Sequence, residues 1–303
     1  MLATLGTVGL FSGAAVVSLR LFNRNSRHHK SNDVPTAVKM HENRSESESE
    51  SEPRRGDLDL YGLSGLYGLY GLFMNDPPAN NRAYVPTDIE HIANVITHGL
   101  CVVPSVLGVT FLSQLASTRN QYVNGMIFGF ALVALFSVST SFHSVFYLGR
   151  FRFLKEVLHR CDRATIYIFI AASYTPWLNI RELRECSWTS NFGWLVWLMA
   201  FFGILYQQIY HERYKWIEIT LYLIIGLFPA VALSKIQELF FTKELMLGGV
   251  SYMVGVVFFK SDGRIPCAHA IWHLFVGLGA FYHYLAVVKY LMGAKNERRY
   301  QVV

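Results

Sequence analysis

The chain has 303 residues, 52% of them hydrophobic and 15% aromatic, against 16% charged, with a formal net charge of +6. Its mean hydropathy of +0.27 and low charged fraction exclude a soluble protein of ordinary composition. The basic excess belongs to no separate domain with nucleic-acid motifs, so nucleic acid is not an expected partner.

Residues 1–19 form a mildly apolar head, followed by Arg20, Arg24, Arg27, His28, His29 and Lys30. A cleaved secretory signal carries positive charge before its apolar core, so this order disfavours one and leaves a signal anchor, a targeting segment or a tail. The alternating tract Ser45-Glu46-Ser47-Glu48-Ser49-Glu50-Ser51-Glu52 has nothing to bury and is expected to be disordered and solvated, a linker before it is a phosphorylation switch. Tyr61-Gly62-Leu63, Ser64-Gly65-Leu66, Tyr67-Gly68-Leu69 and Tyr70-Gly71-Leu72 then repeat every three residues, too short a period for a solenoid. Residues 1–83 are therefore expected to be a largely disordered extension, ahead of a membrane domain over 84–292 and a short basic tail over 293–303.

Seven apolar stretches follow, at about 92–114, 123–147, 161–179, 192–211, 216–234, 245–260 and 268–291, each near the length that about 30 Å of hydrocarbon demands of a helix. Runs such as Ile166-Tyr167-Ile168-Phe169-Ile170 lack the alternation of a barrel strand, and only helices or closed barrels satisfy backbone polar groups in lipid. The expected fold is all-α, a seven-transmembrane helix bundle. Cys101, Cys161, Cys186 and Cys267 show no CxxC spacing, so they imply neither a disulfide framework nor a thiolate metal site and read as small apolar packers.

Basic residues set the orientation. The region before the first stretch, the second connector (Arg150, Arg152, Lys155, Arg160), the fourth (Arg213, Lys215) and the sixth (Lys260, Arg264) fall on one side. That side outweighs the other, apart from the basic tail, which favours a cytosolic N-terminus and a lumenal or extracellular C-terminus. Organelle is left open among plasma membrane, Golgi and endosome. In Gly149-Arg150-Phe151-Arg152-Phe153-Leu154-Lys155-Glu156, cations alternate with aromatics, a pattern for anionic headgroups at about 1 kcal/mol per cation or for orientation alone.

This topology brings Glu90, Asn94 and His98, then Ser139 and His143, then Asp162, then His269 and His273 to one depth near the inner leaflet. Ionisable groups are costly in hydrocarbon and turn inward to meet each other. His269 and His273 are one helical turn apart, so their rings share a face; with His143 they make three neutral nitrogen ligands. Iron and manganese are alternatives, but three imidazoles in a redox-silent hydrolytic setting favour zinc, for which a tetrahedral position is left open, where bound water drops from a pKa of about 15.7 to about 7. Asp162 is the candidate proton carrier or a ligand, and Ser139, one turn before His143, a candidate oxyanion donor. Glu90, Asn94 and His98 are candidates for outer support of the ligands. The structural alternative is a set of interhelical hydrogen bonds without metal. His283, about 15 Å beyond His273, is too far to share the ion and reads as packing or pore-lining, and His91, His159 and His211 as interfacial.

Ser139-x3-His143, Asp162 fourteen residues before Pro176-Trp177, and His269-x3-His273 resemble the three-part pattern of the progestin and adipoQ receptor superfamily, which includes the hemolysin III proteins. "HIANVITHGL", "CDRATIYIFIAASYTPWLNIREL" and "GVVFFKSDGRIPCAHAIWHLFV" resemble more narrowly its monocyte to macrophage differentiation factor branch. The resemblance, over about 84–291, implies seven helices, a cytosolic N-terminus and Zn2+ on His143, His269 and His273, with Asp162 reaching the ion through water. It implies two activities: a receptor or signalling modulator responding to a lipid or to signalling proteins, and a zinc-dependent hydrolase of ceramide-like lipid amides. A scaffold with structural zinc is the remaining alternative. Membrane lipids are expected partners under all three.

Overall fold

The computed structural model describes residues 71–77, 84–180, 192–211, 213–234 and 242–294, and residues 73–303 form one structural unit. The expectations for the apolar head, the Ser/Glu tract, most of the Tyr-Gly-Leu repeat and the basic tail lie outside the described residues. Within them the fold is all-helical, with no strand. Seven long helices run in order: α1 (Asp88–Leu115), α2 (Arg119–Leu148), α3 (Arg152–Asn179), α4 (Phe192–Ile209), α5 (Lys215–Ser234), α6 (Lys243–Phe259) and α7 (Ala268–Tyr290).

Local chemistry sets several ends. Thr87 caps α1 by accepting from the Glu90 amide at 3.2 Å, and Thr118 caps α2 by accepting from Gln121 at 3.1 Å. Gly149 ends α2 in the left-handed region at φ 67°, the C-cap conformation that favours a residue without Cβ.

Four helices, α1, α2, α4 and α7, are long and apolar enough on their own to cross a bilayer. Of the others, α6 has only 17 residues, and α3 opens with Arg152, Lys155, Glu156, Arg160, Asp162 and Arg163 in its first turns. Here the structure corrects the sequence reading. The third helix starts at Arg152 and not near 161, so Arg152, Lys155 and Arg160 are helical residues and the α2–α3 connector is only Gly149, Arg150 and Phe151. Reading apolar runs alone discards a helical segment whose outward face is charged.

α1 is inside out by the standard of a soluble helix. Leu100, Val103, Leu107 and Phe111 are exposed, Leu100 by 72%, while Glu90, Asn94, His98 and Ser105 are buried, Glu90 at 0%. Apolar side chains out and polar ones in is the pattern that lipid imposes, because hydrocarbon solvates the first set and the second must meet partners within the protein.

Consecutive helices pack side by side from α1 to α5, α6 packs on α7, α7 returns to α1, and α3 also touches α5 and α7. Among the described residues, α5 and α6 are the least closely packed of the consecutive pairs. Between α3 and α5 the Arg163 guanidinium pairs with Glu218 at 2.5 Å and the Tyr222 hydroxyl donates to Glu218 at 2.9 Å, a buried clamp with its charges paired. Pro229 removes a donor from α5, and the Tyr174 hydroxyl of α3 donates to the neighbouring Gly226 carbonyl.

The loop before α7 is strapped by residues 73–77. The Cys267 amide donates to the Phe73 carbonyl at 3.2 Å, and the Gly263 amide to the Asn75 side chain at 3.3 Å. Gly263 sits at φ 75° with Pro77 against it, so a side chain there meets both backbone strain and a clash. This strap fixes where α7 begins.

Candidate metal centre

α7 starts without a side-chain cap of its own. Glu90 of α1 supplies one, its carboxylate accepting from the His269 amide at 3.3 Å. A carboxylate at a helix N-terminus satisfies an orphan amide and complements the helix dipole. Glu90 therefore sets the height and rotation of the turn that carries His269 and His273.

The end of α2 brings His143 to the same place. The ligand-capable atoms of His143, His269 and His273 all lie within 4.8 Å of one another, and all three residues are buried. Ring centroids are 5.3 Å apart for His143 and His269, 4.9 Å for His143 and His273, and 4.8 Å for His269 and His273, with planes inclined by 61° to 68°. The rings are mutually tilted rather than stacked, so in-plane lone pairs can converge on one point.

The hydrogen bonding fits a cation. Both ring nitrogens of His143 and Nδ1 of His269 are buried with no hydrogen-bond partner. An unmet buried polar group costs about 1–3 kcal/mol, so the cluster is stable as a donor set and poor as a packing motif. The Thr97 hydroxyl gives its proton to the Ala93 carbonyl at 2.8 Å and lies 3.1 Å from His273 Nδ1, so it accepts from that nitrogen and leaves Nε2 free to ligate. The nitrogens span more than the roughly 3.3 Å that tetrahedral bonds of about 2.0–2.1 Å set between ligands. The trio is gathered, its ligand atoms within 4.8 Å of one another.

Of the other residues singled out in the sequence, His98 lies against His273 face to face, centroids 3.8 Å apart, so its in-plane lone pairs point past the cluster. Its Nδ1 lies 2.8 Å from the Ser139 hydroxyl, an interhelical bond between α1 and α2. The Ser139 hydroxyl is thus engaged by His98. Ser139 and Asp162 line the same cavity. Asn94 donates to the Tyr84 hydroxyl at 2.8 Å, and Tyr84 stacks on His269 at 4.7 Å. Burial, then the Glu90 and Asp262 carboxyls, hold the Tyr84 phenol well above its usual pKa, so it stays protonated.

Three neighbours were missed from the sequence: Tyr84, Thr97 and Asp262. Asp262, in the loop before α7, has Oδ2 3.8 Å from His269 Nδ1 and Oδ1 buried without a partner. Its only signal was a carboxylate seven residues ahead of the His-x3-His pair. Of the three other histidines expected to be interfacial, His91 is buried and His159 and His211 are half-buried. His91 is buried against Phe146 and Tyr147; His159 stacks on Phe142 and meets His211 at 3.2 Å.

The centre opens on a cavity of about 360 Å³, a ligand-sized volume. His98, Ser139, Asp162, His269 and His273 line one part of it, and apolar side chains from α2, α3, α5, α6 and α7, among them Leu135, Phe169, Leu223, Val256 and Trp272, line much of the rest. His283 lines it too. Among described residues Cys101, Cys161 and Cys267 are free thiols; Cys186 is outside them.

Residues 89–284 match the family described as Haemolysin-III related. Over 221 residues the chain is 47% identical to the proteins named Monocyte to macrophage differentiation factor of Homo sapiens and Mus musculus, covering 72% of this chain and 92% of each relative. It is 32% identical over 209 residues to the Hemolysin-3 homolog of Bacillus subtilis (strain 168), 66% of this chain and 94% of that one.

Proposed function

The chain belongs to the haemolysin-III related family, and on that footing we propose that it is a seven-crossing membrane protein holding zinc on His143, His269 and His273 near the cytosolic leaflet, which hydrolyses a lipid amide bound in the adjoining cavity. The observation that carries this reading is that His269 and His273, two members of the three-histidine cluster, line the same largely apolar cavity as Asp162. A structural site is more often closed by four protein ligands, and this cluster offers three.

Zinc, when bound there, supplies Lewis acidity toward a carbonyl and acidifies a water. The protein does the rest. His273 is held in the ligating tautomer by Thr97, and His269 is placed by Glu90 and faced by Asp262. Asp162 takes the proton from the attacking water and returns it to the departing amine, so that one water is consumed and acid and amine leave. Ser139, bonded to His98 and lining the cavity with Asp162, is placed to orient that carboxyl. The apolar walls exclude bulk water and take the acyl chain, and the loose α5–α6 seam is a lateral entrance from the bilayer. Lys155, Lys215 and Lys260 line the cavity as well, which supports a cytosolic facing of this end and contact with anionic headgroups.

The test is Asp162→Asn in purified protein. Metal content stays unchanged, while turnover of a ceramide-type amide falls by about 10²–10⁴-fold. Turnover equal to wild type removes the proposed proton carrier.

A second reading, a receptor or signalling modulator working with signalling proteins, is favoured by the 47% identity to relatives named as a differentiation factor. The same variant separates the two: signalling that persists in cells when turnover is lost assigns the cavity to a ligand and not to a substrate.

A further inference from the structure

The cavity has a second polar place, remote from the metal centre. His283 follows His273 by ten residues on α7, about 15 Å along the axis, the span of roughly twelve extended methylene groups. It lines the same cavity, and so does Tyr252 of α6, their ring centroids 5.5 Å apart. The Tyr252 hydroxyl and His283 Nδ1 are buried, and neither has a hydrogen-bond partner.

Several other hydroxyls in the bundle are satisfied, those of Tyr206 and Thr242 being further exceptions. Ser105, Thr140 and Ser251 donate to carbonyls one turn back, and Tyr284 donates to the Gly108 carbonyl of α1. The Tyr252–His283 pair departs from this habit, and the backbone is shaped to admit it. A Cβ on Gly279 of α7 would sit 2.6 Å from the Tyr252 ring, and one on Gly248 of α6 would sit 2.5 Å from the His283 ring. Each helix omits a side chain where the other's ring must lie. The surroundings are apolar, with Leu245, Met253 and Val276 lining the cavity nearby, so nothing of the protein completes the two polar groups.

We infer that Tyr252 and His283 form a subsite for a hydroxyl group in the body of the lipid, making the preferred ligand a long-chain lipid hydroxylated about twelve carbons from the group that meets the metal centre. A hydroxyl is matched to this pair because it accepts from the Tyr252 O–H and donates to the lone pair of a neutral His283. A plain methylene chain leaves both groups unpaired, and an anion would bring uncompensated charge into an apolar site. The inference rests on the reading above, that a lipid occupies this cavity with its polar head at the histidine cluster.

The experiment measures binding of two probes to purified full-length protein in phospholipid nanodiscs: the stearoyl amide of ethanolamine, and the same amide carrying a hydroxyl on its twelfth carbon. Wild type binds the hydroxylated probe about five- to tenfold more tightly. Tyr252→Phe, which removes one oxygen, and His283→Leu bring the two affinities together while leaving that of the plain amide unchanged. Equal affinities in wild type, saturable and lost in His269→Ala/His273→Ala, overturn the hydroxyl subsite and leave the lipid-binding reading intact. Failure of both probes to bind overturns both.

Discussion

The two ends of the helix bundle handle polar side chains in opposite ways. At the end remote from the histidines, Asn120, Asn124 and Asn179 close on each other: Asn124 donates to the Asn120 side chain at 2.6 Å, Asn179 to Asn124 at 2.8 Å, and Asn120 to the Asn179 carbonyl at 2.8 Å. Gln121 accepts from the amides of Ser117 at 2.8 Å and Gly293 at 3.3 Å, tying α2 to the end of α7. At the histidine end, His143, His269, Glu90, Asn94, His98 and Asp262 each keep a buried polar atom with no partner. Similar helices thus give a satisfied network, partly exposed at Asn120 and Asn179, at one end and a set of buried open donors and acceptors at the other. A closed network holds helices together; an open one is arranged for something that arrives later.

That contrast can be broken at either end. The larger effect belongs to Asp262→Asn, which takes the negative charge from beside His269 Nδ1 while keeping the shape. Zinc affinity, measured by competition with a chromogenic chelator, falls by about ten- to a hundredfold. An unchanged affinity would make Asp262 a loop residue and no more. The smaller effect belongs to Asn124→Ala. Losing its bonds to Asn120 and Asn179 lowers stability by about 1–2 kcal/mol, read from thermal unfolding in detergent, with metal content unchanged. A change in metal content there would mean that the two ends are not the separate devices described.

The sequence exposed what periodicity and residue chemistry encode. The His-x3-His pair, His143 and Asp162 stand out because ionisable side chains are rare in apolar helices, and helix direction was enough to predict that the three histidines meet. It concealed what depends on loops and on pairings between distant segments. Asp262 and Tyr84 belong to no periodic pattern, and Thr97 looks like any helix threonine until His273 is beside it. Ser139 read as a free hydroxyl because nothing in its own helix announces His98 across the gap. The early start of α3 at Arg152 was hidden for another reason: lipid-length apolar runs are the signal for a span, and charges in the first turns erase that signal without erasing the helix.

The central claim is that three distant histidines hold one ion, and elemental analysis of the purified full-length protein against His269→Ala/His273→Ala tests it most directly. The account predicts about one zinc per chain in wild type and none in a double variant that keeps its helical circular dichroism. Equal metal in the two folded proteins, or none in either when purified with zinc present, contradicts it.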